Sequence, residues 1–580
     1  MRIVIAKMSG FCMGVRRAVE MVLDAPAKQT EPICTYGPLI HNPQVLELLE
    51  SKGIRVLENI PECAGGTVLI RAHGVPPETK KRLKQAGLHV IDATCPRVIR
   101  VQSIIRKHAR LGFAVIIVGE NDHPEVVGLL GYAGSRGHVV ASIEELDALP
   151  VFDQAILVAQ TTQNTAFYEK VKAWAGRRHP HYKVFDTICD STEKRQEEVQ
   201  QLANAVDAVV VVGGRESGNT RRLYEIARQS GKPAYHVEGA SDLKHLDLGP
   251  ILAARSIGIS AGASTPNWVI RKVVVGLEAM VFRHRSPFHK AVHAILHTAL
   301  LTNLVVAVAA GGLCYAAAQL QAVGPRLPYV FMSFLYVQSM HILNHLTGSR
   351  ADRYNDPDRA NFYEQRKIPL TAAALVCGAA GLLIAFSQGL LPFMVLLGMS
   401  LMGLSYNLYL LPTSFERFMF RRIRDIPGSK TVLIALAWAV ATAALPPLSQ
   451  PFAVYGSTHV LVFVWTAGLV FVRTAFFDIL DMQGDRLVGK ETIAILLGEK
   501  KSLRLLKRIS AVLIVGLPLA AAFGLTPGLG WVLAACPACM LAIIVAYERG
   551  ALQPGLRLEL LVESHLLLGG ILALAWAWLQ

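Results

Sequence analysis

His89-Val-Ile-Asp-Ala-Thr-Cys95 is a short run rich in β-branched residues that ends on a cysteine. The same unit stands at Arg2-Ile-Val-Ile-Ala-Lys-Met-Ser-Gly-Phe-Cys12 and at Tyr182-Lys-Val-Phe-Asp-Thr-Ile-Cys189. Short runs of this kind, bounded by turn residues, read as strands. Each cysteine then lies at the mouth of a strand. The three are 83 and 94 residues apart, so no local motif joins them. If the strand ends converge, three thiolates share one axis. Such a set leaves one corner of a cubane iron–sulfur cluster without a protein ligand, and an open iron is a place for substrate chemistry. The pattern therefore points to a redox enzyme.

Working outward, residues 1 to about 285 alternate strand and helix. Strands are expected at Ile3–Ala6, Ile33–Tyr36, Thr67–Ile70, His89–Ile91, Ala114–Val118, His138–Ala141, Ala155–Val158, Tyr182–Phe185, Ala208–Val212, Ala234–Val237 and Ser256–Ser260. Helical patterns such as Thr192–Ala205 and Thr220–Ser230 separate them. This is the logic of parallel α/β sheets, whose ligands bind beyond the carboxyl ends of strands. The threefold strand–cysteine unit predicts three small lobes around a pseudo-threefold centre. Met1-Arg-Ile-Val-Ile-Ala opens directly on a strand, so no signal peptide is expected and this half is placed in the cytoplasm.

The 580 residues are 52% hydrophobic with mean hydropathy +0.38, and that average hides two unlike halves. After a basic linker, expected over 283–293 and containing Arg283-His-Arg-Ser-Pro-Phe-His-Lys290, come nine apolar segments. They are Ala294–Ala318, Leu327–Leu346, Leu370–Phe386, Leu391–Leu411, Thr431–Leu448, His459–Phe477, Ile509–Phe523, Gly530–Ala546 and Glu559–Leu579. Several reach the ~20 residues that cross a bilayer. The expectation is an all-α membrane domain of about nine transmembrane helices over 294–580. Loops 348–369, 413–430 and 478–508 carry five, five and seven Lys/Arg, whereas Arg326 is the only basic residue in the loops opposite. By the positive-inside rule the long loops and the N-terminal half lie on the cytoplasmic side of the inner membrane. The net charge of +15 follows from these flanks and from anion sites. No basic run interleaves with aromatics, so nucleic-acid binding is not expected.

Of the nine cysteines, Cys34 and Cys63 have no evident partner. Cys314, Cys377, Cys536 and Cys539 sit in apolar segments; Cys536-Pro-Ala-Cys539 has redox spacing without the strand–helix context and reads as packing. A zinc site using the three strand-end cysteines with His41 or His123 lacks the close cysteine pairs usual for structural zinc.

Polar motifs stand at the loops of the first half: Ile40-His41-Asn42-Pro43, Arg71-Ala72-His73-Gly74-Val75, His123-Pro124-Glu125-Val126, Gln160-Thr161-Thr162-Gln163, Ser217-Gly218-Asn219-Thr220 and Ala261-Gly262-Ala263-Ser264. Singly, each has a bland reading: His41 closing a turn, Ser217 and Ser264 capping helices, Glu125 solvated. Together, imidazoles, hydroxyls and a carboxamide near helix N-termini make an anion pocket suited to a diphosphate. One carboxylate beside a hydroxyl pair suits proton delivery.

Gly10-Phe-Cys-Met-Gly-Val-Arg-Arg-Ala-Val19, Gly37-Pro-Leu-Ile-His-Asn-Pro-Gln-Val45, Arg71-Ala-His-Gly-Val75, Asp92-Ala-Thr-Cys-Pro96, His123-Pro-Glu-Val-Val-Gly128, Gln160-Thr-Thr162, Asp186-Thr-Ile-Cys189, Ser217-Gly-Asn219 and Gly262-Ala-Ser264 follow one another in an order and spacing that resembles the 4-hydroxy-3-methylbut-2-enyl diphosphate reductase family. The likeness spans residues 1–282. It implies a 4Fe-4S cluster on Cys12, Cys95 and Cys189, with the substrate hydroxyl at the open iron. It implies two-electron, two-proton removal of that oxygen as water, giving isopentenyl and dimethylallyl diphosphate. This is the last step of the non-mevalonate isoprenoid pathway, fed by a reduced ferredoxin or flavodoxin-type donor. By motif position Glu125 is the proton donor, with Thr161 in its relay and His123 nearby. His41, His73, His123, Thr161, Ser217, Gly218, Asn219 and Ser264 are the expected substrate contacts. One departure appears: the family usually has a second serine where Gly218 stands, which predicts weaker binding.

In the apolar half, Asp478-Ile-Leu-Asp481-Met-Gln-Gly-Asp485-Arg486 places Asp478, Asp481 and Asp485 at i, i+3 and i+7 on one helical face. Hard cations want carboxylate oxygens, so the face suits magnesium and a diphosphate, unless it is only a solvated helix end. The loop Ser405-Tyr406-Asn407 through Arg424 to Lys430-Thr431 supplies basic groups. This half resembles the intramembrane aromatic prenyltransferases, which implies a prenyl diphosphate and an aromatic acceptor within membrane lipid. The family's first acidic motif, Asn-Asp-x-x-Asp-x-x-x-Asp, becomes Asn344-His345-Leu-Thr-Gly348-Ser-Arg-Ala-Asp352, so His345 and Gly348 replace two of three carboxylates. Asn344 and Asp352 remain as magnesium candidates. The half is either a divergent prenyltransferase or a non-catalytic anchor or lipid-binding module.

Overall fold

The computed structural model describes residues 2–25, 32–60, 65–283, 287–324, 327–405, 428–449, 456–487, 492–552 and 554–580. It divides into two compact units, Met1–Val281 and Phe282–Gln580. Cys63 and the centre of the basic linker lie outside the described residues, as do 406–427 and 488–491.

The first unit holds twelve strands: β1 (Arg2–Ile5), β2 (Ile33–Tyr36), β3 (Arg55–Leu57), β4 (Thr67–Ile70), β5 (His89–Asp92), β6 (Ala114–Val118), β7 (Gly137–Val140), β8 (Ala155–Ala159), β9 (Lys183–Val184), β10 (Ala208–Val212), β11 (Ala234–Val237) and β12 (Ser256–Ala261). They form three parallel four-stranded sheets, ordered β5-β4-β2-β3, β9-β8-β6-β7 and β1-β12-β10-β11. Written this way, the three sheets are one pattern. In two of them the edge strand beside the second is the last of its lobe in sequence. In the third, that position belongs to β1, the first strand of the chain. The third lobe is therefore the same unit with its last strand moved to the front, and the unit closes on itself through β1 and β12.

Strands β6, β8 and β10 are buried throughout and apolar in nearly every position, as expected of parallel strands covered on both faces. The sequence reading finds eleven of the twelve. It misses β3, a three-residue edge strand with Arg55 and Val56 exposed, which offers no apolar alternation. It also overextends β9, which shrinks to two exposed residues.

In the second unit every one of the nine apolar segments contains helix among the described residues. Among the described residues six helices are long and apolar enough to cross a membrane, or seven if one bent pair counts as a span. Leu390–Ser405 is shorter. Leu327–Asn355 is long but carries Ser333, Gln338 and Ser339, which donate to the carbonyls of Ala441 (2.8 Å), Thr302 (2.8 Å) and Ala374 (2.7 Å). The first segment is not one straight helix. It is Pro287–Leu301 and Leu304–Leu320, bent by 70°, so residues 287–293 of the expected linker are helical. The helix Ser429–Ala439 widens into a π turn at Val440–Ala444, and there the carbonyls of Ala441 and Ala443 accept from Ser333 and from Gln321 (2.9 Å). These polar bonds between apolar helices are the usual fasteners of a membrane bundle. The unit is a multi-pass membrane domain.

Candidate functional site

Cys12, Cys95 and Cys189 follow β1, β5 and β9, the equivalent edge strands of the three sheets. Each is the N-cap of the next helix: Met13–Asp24, Pro96–Arg110 and Asp190–Ala205. Their backbone N–H groups donate to the carbonyls of Ala263 (3.0 Å), Ala72 (2.9 Å) and Thr161 (2.9 Å). Each acceptor lies two residues beyond the neighbouring strand, so the threefold pattern extends to single hydrogen bonds. Helix N-termini favour the thiolate form. Burial pushes the Cys95 thiol up, the N–H groups of Arg97 and Val98 pull it down, and the charges of Cys12 and Cys189 push it up again. The three sulfurs thus sense one another. Gly14 permits this convergence, because a Cβ there would lie 2.4 Å from Cys95 Sγ. All eight described cysteines are free thiols.

Behind the thiols lies a group the sequence reading missed. Arg195 is buried, donates to the carbonyls of Gly10 (2.7 Å) and Ala261 (3.1 Å), and feels the charges of Cys12, Glu198 and Cys189. Its signal was present: Thr192, Arg195, Gln196 and Val199 form the buried face of the helix capped by Cys189, and a cation on such a face needs an anionic reason.

Glu125 is 2% exposed. Thr161 holds it twice, from its N–H to Oε1 (2.6 Å) and from its hydroxyl to Oε2 (2.8 Å). Burial raises the Glu125 pKa against the lowering pull of these bonds and of Arg222. The Thr161 carbonyl also receives the Cys189 N–H, so acid and thiol are fixed by one residue.

His41, His73 and His123 come together with ring nitrogens within 4.8 Å of one another. Burial holds all three below the ordinary histidine range, His73 well below and His123 down to about 3, so they are neutral. His123 Nδ1 accepts the Glu125 N–H (3.1 Å), which assigns its proton to Nε2. That nitrogen faces Gly218, where a Cβ would lie 3.6 Å away. Ser217 caps the helix Gly218–Gln229, and the Ser264 hydroxyl donates to the His41 carbonyl (3.1 Å) rather than capping a helix. His41 Nε2, His73 Nδ1 and both amide atoms of Asn219 are buried without a hydrogen-bond partner among the described residues. Native proteins rarely leave such atoms bare, so a polar ligand belongs here. Three imidazoles could ligate a cation, but Arg71, Arg221 and Arg222 make the field positive, which favours an anion. Arg71, quoted in a sequence motif without a role, and Arg222, absent from the sequence reading, are further site residues; Arg222 is fixed by Thr162 O (2.6 Å) and Glu120 (3.0 Å).

In the membrane unit Asp481 interrupts the predicted helical face, ending Ser457–Leu480 before the short helix Met482–Leu487. Asp478 accepts from the Thr431 hydroxyl (2.5 Å), Asp485 from Asn355 (2.9 Å), and Asp352 pairs with His345 (2.8 Å). Lys430 lies within electrostatic reach of Asp478, Asp485, Asp352 and Asp481, so both acidic motifs face one centre. Beside it, Asn344 and Lys430 line a mostly apolar cavity of about 130 Å³ with His341, Met399 and Trp438. Most of the basic loop expected to help, 406–427, lies outside the described residues, as do Lys490 and Glu491.

Residues 3–278 match the family model described as LytB protein, and residues 304–555 match the UbiA prenyltransferase family. The chain is 41% identical over 274 residues to the 4-hydroxy-3-methylbut-2-enyl diphosphate reductase of Aquifex aeolicus, covering 47% of this chain and 94% of that protein. It is 43% identical over 288 residues to the enzyme of the same name from Solidesulfovibrio magneticus, covering 48% of this chain and all of that one. A solved (E)-4-hydroxy-3-methyl-but-2-enyl diphosphate reductase superposes on 48% of the chain at 40% identity with a TM-score of 0.39. A UbiA homolog from Archaeoglobus fulgidus, bound to GPP and Mg2+, covers 47% at 14% identity with a TM-score of 0.32.

Proposed function

The chain belongs, through residues 3–278, to the LytB family of 4-hydroxy-3-methylbut-2-enyl diphosphate reductases, and from that premise we propose that it removes the allylic hydroxyl of this diphosphate reductively. The products are isopentenyl and dimethylallyl diphosphate: two electrons and two protons enter, the C–O bond breaks and water leaves. The observation that carries the reading is the convergence of three helix-capping cysteines beside a buried acid and an anion pocket with bare polar atoms. The donor set fits a 4Fe-4S cluster. Cys12, Cys95 and Cys189 sense one another, carry helix N-termini and have Arg195 behind them, and no fourth cysteine joins them among the described residues. When bound, the cluster supplies electrons and an iron acting as Lewis acid.

The chain's own residues do the rest. Neutral Nε2–H of His123, His41, His73, Ser217, Asn219 and Ser264 hold the diphosphate, with the backbone at Gly218. Arg71, Arg221 and Arg222 supply the positive field. Glu125, whose hold on a proton is strengthened by burial, gives that proton to the departing oxygen, and Thr161 orients both of its oxygens. A reduced ferredoxin or flavodoxin-type protein serves as electron donor. The reductase half faces the cytoplasm of the inner membrane, as the basic loops favour.

For the membrane half we propose transfer of a prenyl group from its diphosphate to an aromatic acceptor. The second acidic motif offers three carboxylates to a magnesium ion. The first does not fit a second ion well: Gly348 has no ligand, and His345 occupies an oxygen of Asp352. The non-catalytic module remains the rival, favoured by that loss. Anaerobic reconstitution of the full chain with iron and sulfide, followed by a paired assay, tests both halves. With a chemical reductant supplied, turnover of the allylic diphosphate is expected with loaded chain only. An iron-loaded chain that binds this diphosphate without turning it over would overturn the first reading. Absence of prenyl transfer across a panel of acceptors with magnesium would favour the module.

A further inference from the structure

Residues 279–303 fall between the two family matches. They contain the helix Pro287–Leu301, set at 70° to the helix Leu304–Leu320. The elbow is built rather than incidental. Asn303 takes a left-handed conformation (φ 61°), and a non-glycine residue persists there only where its surroundings fix it. Its side-chain amide donates to the Tyr363 hydroxyl (3.0 Å), the Thr302 carbonyl accepts from Gln338 (2.8 Å), and the Thr302 hydroxyl donates to the Thr298 carbonyl (2.8 Å).

The helix before the elbow is two-faced. Phe288, Val292, Ile295 and Ala299 stand at i, i+4, i+7 and i+11, one stripe. His293 and His297, with rings 5.9 Å apart, and Lys290 occupy the other side. The apolar stripe faces outward: Phe288 is 74% exposed, Ile295 67% and Val292 40%. It continues past the elbow in Leu304 and Val308, which are also exposed. A spanning helix near the bilayer normal leaves its 70° neighbour within about 20° of the membrane plane. The flanking charge is of one sign. Arg283, Arg285 and Lys290 lie here, and no Asp or Glu occurs between Glu278 and Asp352.

We propose that Pro287–Leu301 is an interfacial helix that lies at the headgroup–acyl boundary of an anionic phospholipid leaflet. Phe288, Val292 and Ile295 enter the acyl region, while Lys290 and the two histidines meet the headgroups. The proposal rests on the membrane reading of the second unit, and its test separates the two. The photo-crosslinker p-benzoylphenylalanine is placed singly at Ile295, Val292, His297 and Leu383 of the full chain, in nanodiscs of phosphatidylcholine and phosphatidylglycerol. Leu383, 70% exposed on the spanning helix Lys367–Ser387, is the control for lipid contact. Phospholipid adducts at Ile295 and Val292, several-fold above those at His297 and comparable to Leu383, are expected. Adducts to a second copy of the chain or to residues 1–281, no adduct at Ile295, or equal lipid adducts at Ile295 and His297 would overturn the proposal. If Leu383 also fails to capture lipid, the membrane reading itself has failed.

Discussion

The two halves offer a diphosphate opposite kinds of site. In the reductase half the polar atoms of His41, His73 and Asn219 are buried and bare. In the membrane half the carboxylates of Asp352, Asp478 and Asp485 are already engaged, by His345, Thr431 and Asn355 respectively, around Lys430. A bare buried polar atom costs stability, and a cluster of them in one pocket is completed when a polar ligand binds. An internally paired network is stable without one, and a ligand must displace its partners. The first site is thus preorganised for its anion, whereas the second must be opened by a cation.

The largest test of this contrast is Cys95→Ser. Loss of one of three thiolates should abolish the cluster's electron paramagnetic resonance signal and reduce turnover of the allylic diphosphate to background. Prenyl transfer in the same preparation should stay unchanged. Retention of both cluster and turnover would break the three-thiolate assignment. Next comes Glu125→Gln, which keeps the shape and removes the proton. Turnover should fall by roughly 10²–10⁴-fold, the usual worth of a general acid, with the cluster signal intact. The pH dependence follows from burial. The Glu125 pKa is raised, so the proton is present below that raised value and lost above it. Wild-type turnover should therefore fall as pH rises through it. A profile with no alkaline limb attributable to Glu125 would assign the proton to the substrate's own diphosphate.

Much of the first half was legible because strand and cysteine recur together. His89–Cys95 alone predicts a strand mouth, and its two copies predict the axis. The permutation was not legible, since nothing local says that β1 completes the sheet of β10 to β12. Nor were Arg195, Arg71 and Arg222, because a cation's role depends on which distant thiols, carbonyls and imidazoles surround it. In the membrane half hydropathy located the nine long apolar segments but could not see short helices such as Pro357–Gln365 or the elbow at Asn303. That bend comes from one residue's backbone and from bonds to Tyr363 and Gln338, not from any loss of apolar character.

A smaller effect separates a catalytic membrane half from an inert one. Asp481→Ala should abolish magnesium-dependent prenyl transfer without touching the reductase. The wild-type response to magnesium should be hyperbolic, as for a single cation. Gly348→Asp restores a carboxylate to the first motif and should tighten apparent magnesium affinity by about tenfold, within the range that supporting ligands usually contribute. Unchanged affinity would mean that the His345–Asp352 pair, rather than Gly348, keeps the second cation out.

The smallest effect concerns Gly218 in the reductase pocket. The reductase pocket already has bare donors and acceptors, so one missing hydroxyl should matter little. A Cβ at Gly218 would meet His123 at 3.6 Å and Gln160 at 4.0 Å, both ordinary contacts. Serine therefore fits without moving the histidine, and its backbone has no left-handed φ to resist it. A new hydroxyl on a bound anion is worth about 0.5–1.5 kcal/mol, so Gly218→Ser should lower KM by roughly two- to tenfold with kcat nearly constant. A large rise in kcat instead would show that the pocket does more than bind. The lost hydroxyl would then belong to a proton path beside His123, whose ring lies 3.6 Å from that Cβ.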